Sequence, residues 1–255
     1  MSEVKNNRFY RIFGSRKVFV TYFICLLLIA GTMIGSIVTS LVSNNHEKMI
    51  EHSLLSLIAI FLLHIPMMMR SKFSIRIPAW ITITITVFIV AHFVLGEVFR
   101  FYDHVFLFDK VLHLIAGIVI AMCGFSIVYS FSKTQSGFVR LSPVFVAIFS
   151  FCFAVTILTL WEFFEYGMDM LFGLNMMRWR DGLTEIEIDG VIYLITSSQM
   201  GTALIDTMND LIIGTIGAAI ICVLGVIWLK KFPRSTTFYI MKDKELGTKN
   251  VIESK

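Results

Sequence analysis

Charge is scarce in this sequence. Only 16% of its 255 residues are Asp, Glu, Lys or Arg, whereas 56% are hydrophobic, a balance that water-soluble globular domains do not show. Proline is scarce too, at 4 residues, which leaves long stretches free to be helical. The four cysteines, Cys25, Cys123, Cys152 and Cys222, all lie inside apolar runs and make no CxxC spacing, so neither a disulfide framework nor a thiolate metal site is expected. Zinc-finger, P-loop and dinucleotide fingerprints are missing, as is the GxSxG nucleophile motif, and no arginine cluster stands out. The net charge of +4 is small and sits on one side of the chain's loops, so no nucleic-acid partner is expected.

What is present is apolar length. With 24 phenylalanines and 14 methionines and a mean hydropathy of +0.79, the chain reads as a membrane protein whose partner is the lipid bilayer. The expected fold class is all-α: a polytopic transmembrane bundle of about six helices, over 18–42, 54–69, 78–98, 108–131, 143–166 and 203–229. The first run spans about 37 Å at the helical rise, too long for the core of a signal peptide. The second is marginal in length. The third contains ITITITV at 81–87, an alternation that suggests a strand in water. In lipid an open strand leaves its backbone unsatisfied, so helix is expected there.

The loops divide by charge. Basic residues crowd the N-terminus (1–17), the 70–77 and 132–142 loops and the tail (230–255), whereas the 167–202 loop sets Arg178 and Arg180 against Asp169, Asp181, Glu185, Glu187 and Asp189. By the positive-inside rule both termini are cytoplasmic, and a multi-pass protein of a bacterial inner membrane is expected. Within the long loop, TEIEI-DG-VIYLI alternates on both sides of Asp189-Gly190. That predicts a small extracytoplasmic β-hairpin with a two-residue turn.

Ionisable groups inside these runs are the candidates for chemistry. Asp109 and His113 open the fourth run, Glu162 and Glu165 close the fifth, and Asp206, Asn209 and Asp210 open the sixth. The topology puts all three groups near the outer interface, and spacings of three and four put each on one helical face. An outward-facing pocket of Asp109, His113, Glu162, Asp206, Asn209 and Asp210 is therefore expected. His92, Glu97, Arg100, Glu165 and Gln199 are further contributors to weigh. Glu165 and Asp103 lie close to the headgroup level, where simple solvation explains them. Gly117, Gly214, Gly217 and Ala218 would let the fourth and sixth helices approach beneath the pocket, and Gly31 and Gly35 form a second, weaker small-residue spacing.

Asp109, His113, Glu162, Asp206 and Asp210 are hard and borderline donors of the kind a divalent metal takes, although the paired ExxH motifs of di-iron bundles are missing. A divalent metal is the cofactor this set admits; the ligand and the oligomeric state are open. Without metal, the same groups suit a proton-coupled transporter or a polar layer that locks helices in a structural or assembly protein.

At FDKVLHLIAG, WEFFEY and DTMNDLIIGTIGA the chain resembles the YjdF-type family of uncharacterised bacterial inner-membrane proteins, over roughly 90–225. It is more distantly similar to the VanZ-like family, whose DKxxH motif is matched by Asp109, Lys110 and His113 and whose acidic motif is echoed by Asp206–Asp210. The VanZ-like glutamate–glutamine pair followed by arginine is not reproduced; Gln199 lacks that context. The resemblance implies that these motifs act together and brings no reaction with it.

Overall fold

The computed structural model describes residues 8–43, 46–72, 75–76, 78–105, 107–134, 137–138, 141–180, 183–189, 191–196, 201–231 and 241–242. In chain order its helices are α1 (Arg8–Phe13), α2 (Arg16–Ser43), α3 (His46–Lys72), α4 (Ala79–Val90), a π-helical continuation of α4 (Ala91–Val98), α5 (Phe101–His104), α6 (Phe108–Ser132), α7 (Pro143–Phe172) and α8 (Thr202–Lys231). Six stretches are long and apolar enough to cross a membrane: Arg16–Val42, Met49–Lys72, Ala79–Val98, Phe108–Val128, Pro143–Phe172 and Thr202–Lys231. The protein is an all-α, polytopic membrane bundle. Among the described residues, strands are confined to two-stranded ribbons, β1 (Ile75–Arg76) with β6 (Met241–Lys242), β2 (Lys133–Thr134) with β3 (Gly137–Phe138), and β4 (Leu183–Ile188) with β5 (Val191–Thr196).

The ITITITV stretch is helical, as the membrane argument requires. Its threonines are accommodated because their hydroxyls bond back into the helix, Thr84 Oγ1 to the Trp80 carbonyl at 2.9 Å and Thr86 Oγ1 to the Thr82 carbonyl at 2.8 Å. The π segment that follows is closed by the Phe99 amide on the Val94 carbonyl at 2.9 Å, five residues back. Such wide turns re-aim side chains and recur at functional sites.

The second run is longer than expected. Helix α3 begins at His46 rather than at residue 54, because HEKMIEH consists largely of residues that tolerate helix and carries no Gly or Pro. The fifth also runs beyond residue 166, to Phe172, where Gly173 caps it in the left-handed conformation (φ 66°). In the added turn Asp169 accepts the Met176 and Met177 amides at 2.8 and 2.9 Å, folding the loop back over the helix end. The hairpin has the expected register, Ile188 opposite Val191, and Asp189 takes φ 54°, as a two-residue turn demands.

Two cores form. One joins α2, α3 and the α4 helix through Ile29, Leu55, Leu63 and Phe93, with Met168 and Met176 added from the end of α7 and its loop. The other joins α6, α7 and α8 through Ala121, Phe125, Ala154, Ala218 and Cys222. Lipid supplies little hydrophobic drive for helix association, so close packing has to come from small residues. A Cβ on Gly117 would collide with the Gly214 carbonyl, one on Gly217 with the Leu114 carbonyl, and one on Gly225 with the Phe125 ring. By contrast, nothing stands within 4 Å of a Cβ built on Gly31 or Gly35. That spacing seats no helix among the described residues.

Overpacking of a tight contact costs about 1–3 kcal/mol. Gly117→Ala is therefore expected to lower the melting temperature of the detergent-solubilised protein, followed by tryptophan fluorescence, whereas Gly31→Ala leaves it unchanged. Equal melting temperatures for both variants would contradict the packing described here.

Candidate functional site

The glycine contacts decide where the first turn of α6 sits. With backbone against backbone at Gly117 and Gly214, the start of α6 lies within a lysine's reach of α8. Lys110 Nζ donates to Asp210 Oδ1 at 2.6 Å, to Asp109 Oδ2 at 2.7 Å and to Asp206 Oδ1 at 3.1 Å. One ammonium thus serves three carboxylates, the whole donor capacity of a lysine.

His113 occupies the inner side of the same group. Its Nε2 is 3.4 Å from Asp109 Oδ1 and 3.8 Å from Asp210 Oδ2. Asp109 and Asp210 therefore each turn one oxygen toward Lys110 and the other toward His113. The inner side is enclosed, with the Asp210 side chain 2% and that of His113 8% exposed. Donor atoms of Asp109, His113 and Asp210 all lie within 4.8 Å of one another, a spacing compatible with one metal ion. Glu162 is buried on α7, close enough to His113 for their charges to interact, and its Oε2 has no hydrogen-bond partner. Thr207 Oγ1 is buried beside it. Three carboxylates thus surround one ammonium, with His113 and Glu162 beside them.

Outward, this cluster opens into a cavity of about 340 Å³ bordered by Tyr102, Phe108, Asp109, Lys110, Arg178 and Asp206, with Asn209 at its exposed rim. Two of these walls, Tyr102 and Arg178, had no signal in the sequence. They come from the α5 segment and from the loop after α7, and the guanidinium lies 4.7 Å from the phenol ring centroid. Burial pushes the Tyr102 phenol well above the ordinary tyrosine value, and its hydroxyl shares a hydrogen bond with His92 Nδ1. His92 Nε2 is then left buried and unpartnered beneath Trp161, whose ring lies edge-on to the imidazole at 4.9 Å.

Of the residues singled out in the sequence, Asp109, His113, Asp206 and Asp210 converge, and Glu162 stands beside them. Glu97 and Arg100 line a different cavity. Gln199 lies outside the described residues. Glu165 departs from the expectation of solvation: it is buried, at 4% exposure, and accepts Trp161 Nε1 at 2.7 Å. Asp103 is not simply solvated either, being held by Arg100 Nε at 2.6 Å and Arg178 Nη1 at 2.9 Å. Lys110 is the residue that spacing alone does not single out, although charge balance points to it: several acids at one depth in apolar helices need a cation, and Lys110 is the neighbour of the first.

The fold and cluster define a multi-pass helical membrane protein with a partly buried carboxylate–lysine–histidine group at one end of three tightly packed helices. The chain belongs to the predicted membrane protein family DUF2238, whose model matches residues 22–231. Comparison with curated proteins and with solved structures gave no match.

Removing one partner of a buried charge network leaves the others uncompensated, at a cost of about 3 kcal/mol or more when fully buried and less here, where Lys110 is partly exposed. Lys110→Met is expected to lower the melting temperature clearly, and Asp210→Asn to recover part of the loss in the double variant. Additive single effects in that cycle would show that the two side chains are not coupled.

Proposed function

We propose that this protein sits in a bacterial inner membrane with both termini in the cytoplasm, and that its outward-facing pocket binds a divalent metal and acts on an envelope or lipid-headgroup compound. The orientation follows from the basic residues of the 70–77 and 132–142 loops and both ends of the chain. The observation that carries the metal reading is the triad facing inward from Lys110. Asp109 Oδ1, Asp210 Oδ2 and His113 Nε2 face one another, and Glu162 offers an unpartnered oxygen nearby. Two or three carboxylates with one imidazole suit a hard or borderline divalent ion, which would polarise a phosphoryl or acyl oxygen or activate water. Lys110 then holds the outer oxygens of Asp109 and Asp210 and fixes how both carboxylates present their inner ones. The resemblance of these motifs to YjdF-type and VanZ-like proteins supports their acting as one unit.

A second reading rests on Lys110 itself. Because its ammonium satisfies three carboxylates without any ligand, the cluster also suits a structural role that locks α6 to α8. The proton-coupled transporter is favoured by no comparable observation.

Metal analysis of the purified protein separates the two. Stoichiometric divalent metal is expected in the wild type and in Asp206→Asn, whose carboxylate is outside the triad, and it is expected to be lost from Asp109→Asn, His113→Ala and Asp210→Asn. Metal-free wild-type protein whose stability is unchanged by chelator would leave the structural role standing.

A further inference from the structure

Beyond the acidic pocket, Arg178 also borders a second cavity, of about 430 Å³, lined by Glu51, Glu97, Arg100, Asp103, Arg178 and Arg180. Its walls come from three places: the start of α3, the end of the π segment with the α5 turn, and the loop after α7. Glu51 lies just inside the first turn of one span and Glu97 next to the end of another, so the cavity sits at the depth of lipid headgroups.

Each of the three arginines has a partner, although Arg100 keeps most of its side chain in the open, at 61% exposure. Asp103 ties Arg100 at 2.6 Å and Arg178 at 2.9 Å. Arg180 Nη2 donates to the Gly173 carbonyl at 2.6 Å, and its guanidinium stacks 4.9 Å from the Trp179 ring. Arg100 and Arg178 also take positive φ, 57° and 54°, a conformation that costs a non-glycine residue energy and that tends to persist where the surroundings hold a side chain for a purpose. Guanidiniums fixed in this way match the geometry of a phosphate. The same cavity carries Glu51 and Glu97, two carboxyl groups that a cation between them would bridge. A purely anionic ligand would meet these two carboxylates, and a purely cationic one would meet the arginines.

We infer that this second cavity binds the headgroup of a zwitterionic phospholipid bearing a primary ammonium, with its phosphate on Arg100, Arg178 and Arg180 and its ammonium on Glu51 and Glu97. A primary ammonium suits the site better than a quaternary one. It donates hydrogen bonds to carboxylates, whereas a trimethylammonium is held by an aromatic cage, and no Trp, Tyr or Phe lines this cavity among the described residues. The volume is in the range of small-ligand sites.

The test is a titration of the full-length protein, in detergent free of phospholipid, with short-chain phosphatidylethanolamine, phosphatidylcholine, phosphatidylglycerol and inorganic phosphate, read by native mass spectrometry. Phosphatidylethanolamine is expected to bind at least about tenfold more tightly than each of the others, the equivalent of one good charge-assisted contact. Arg180→Ala is expected to weaken it by about the same factor, and Glu97→Gln to remove the preference for ethanolamine over choline. Glu51→Gln gives the same reading if Glu97→Gln does not fold. Comparable binding of the ethanolamine and choline lipids, tighter binding of phosphatidylglycerol, or inorganic phosphate matching the lipid would each overturn the inference. Metal measured in the same samples keeps the two sites apart. Lipid lost with metal retained in Arg180→Ala reads this cavity alone, and metal absent throughout removes the metal reading of the first pocket while the lipid result stands.

Discussion

An ammonium group has three hydrogens to donate, and Lys110 gives all of them to carboxylates on α6 and α8. In water such an arrangement is worth little, because each ion is solvated well on its own. At the edge of a bilayer the alternatives are worse. Asp210 is almost wholly buried, and a carboxylate held there without a partner loses its hydration with nothing in return. The ion group therefore depends on α6 and α8 being close, and that closeness depends on Gly117, Gly214 and Gly217, whose missing side chains let backbone meet backbone. Small residues and charges act as one device here. The glycines supply the distance at which the charges pair, and the pairing in turn rewards the approach in a solvent that offers no hydrophobic drive for it.

The same end of the molecule is organised a second time around Arg178. It pairs with Asp103, lies over the Tyr102 ring and borders both cavities. Tyr102 itself packs against Gly96 of the π segment and is hydrogen-bonded to His92. The wide turn after α4 thus places a glycine where a tyrosine ring has to lie and a histidine where its hydroxyl finds a partner. Acidic pocket, aromatic wall and arginine cavity form a continuous polar region at one end of an otherwise apolar bundle.

Much of this was legible in the residues. Six apolar runs, the helical reading of ITITITV and the turn at Asp189-Gly190 follow from length, from the unsatisfied backbone of an open strand in lipid, and from turn chemistry. The four residues that converge, Asp109, His113, Asp206 and Asp210, were legible because a charge inside an apolar run is costly and so stands out. Lys110 was overlooked for a geometric reason. Spacing of four joins Asp109 to His113 on one helical face, and a residue one position on points about 100° away. Its long flexible side chain reaches back across that angle, which no face-counting rule anticipates. Glu165 departs from its expected solvation because depth along a helix is readable from sequence, whereas which face of α7 turns into the bundle is not.

By itself, then, the sequence determined that the chain crosses a membrane, about how many times, and which of its residues are too polar to face lipid, since each of these depends only on local composition and on the bilayer as solvent. Only the tertiary structure decided which polar residues meet. Arg100 and Arg178 share Asp103 although they stand far apart along the chain, and Lys110 pairs with acids about a hundred residues away. Such meetings depend on helix rotation, on close approach at a few glycines and on the path of a loop, and none of these is written in any one segment.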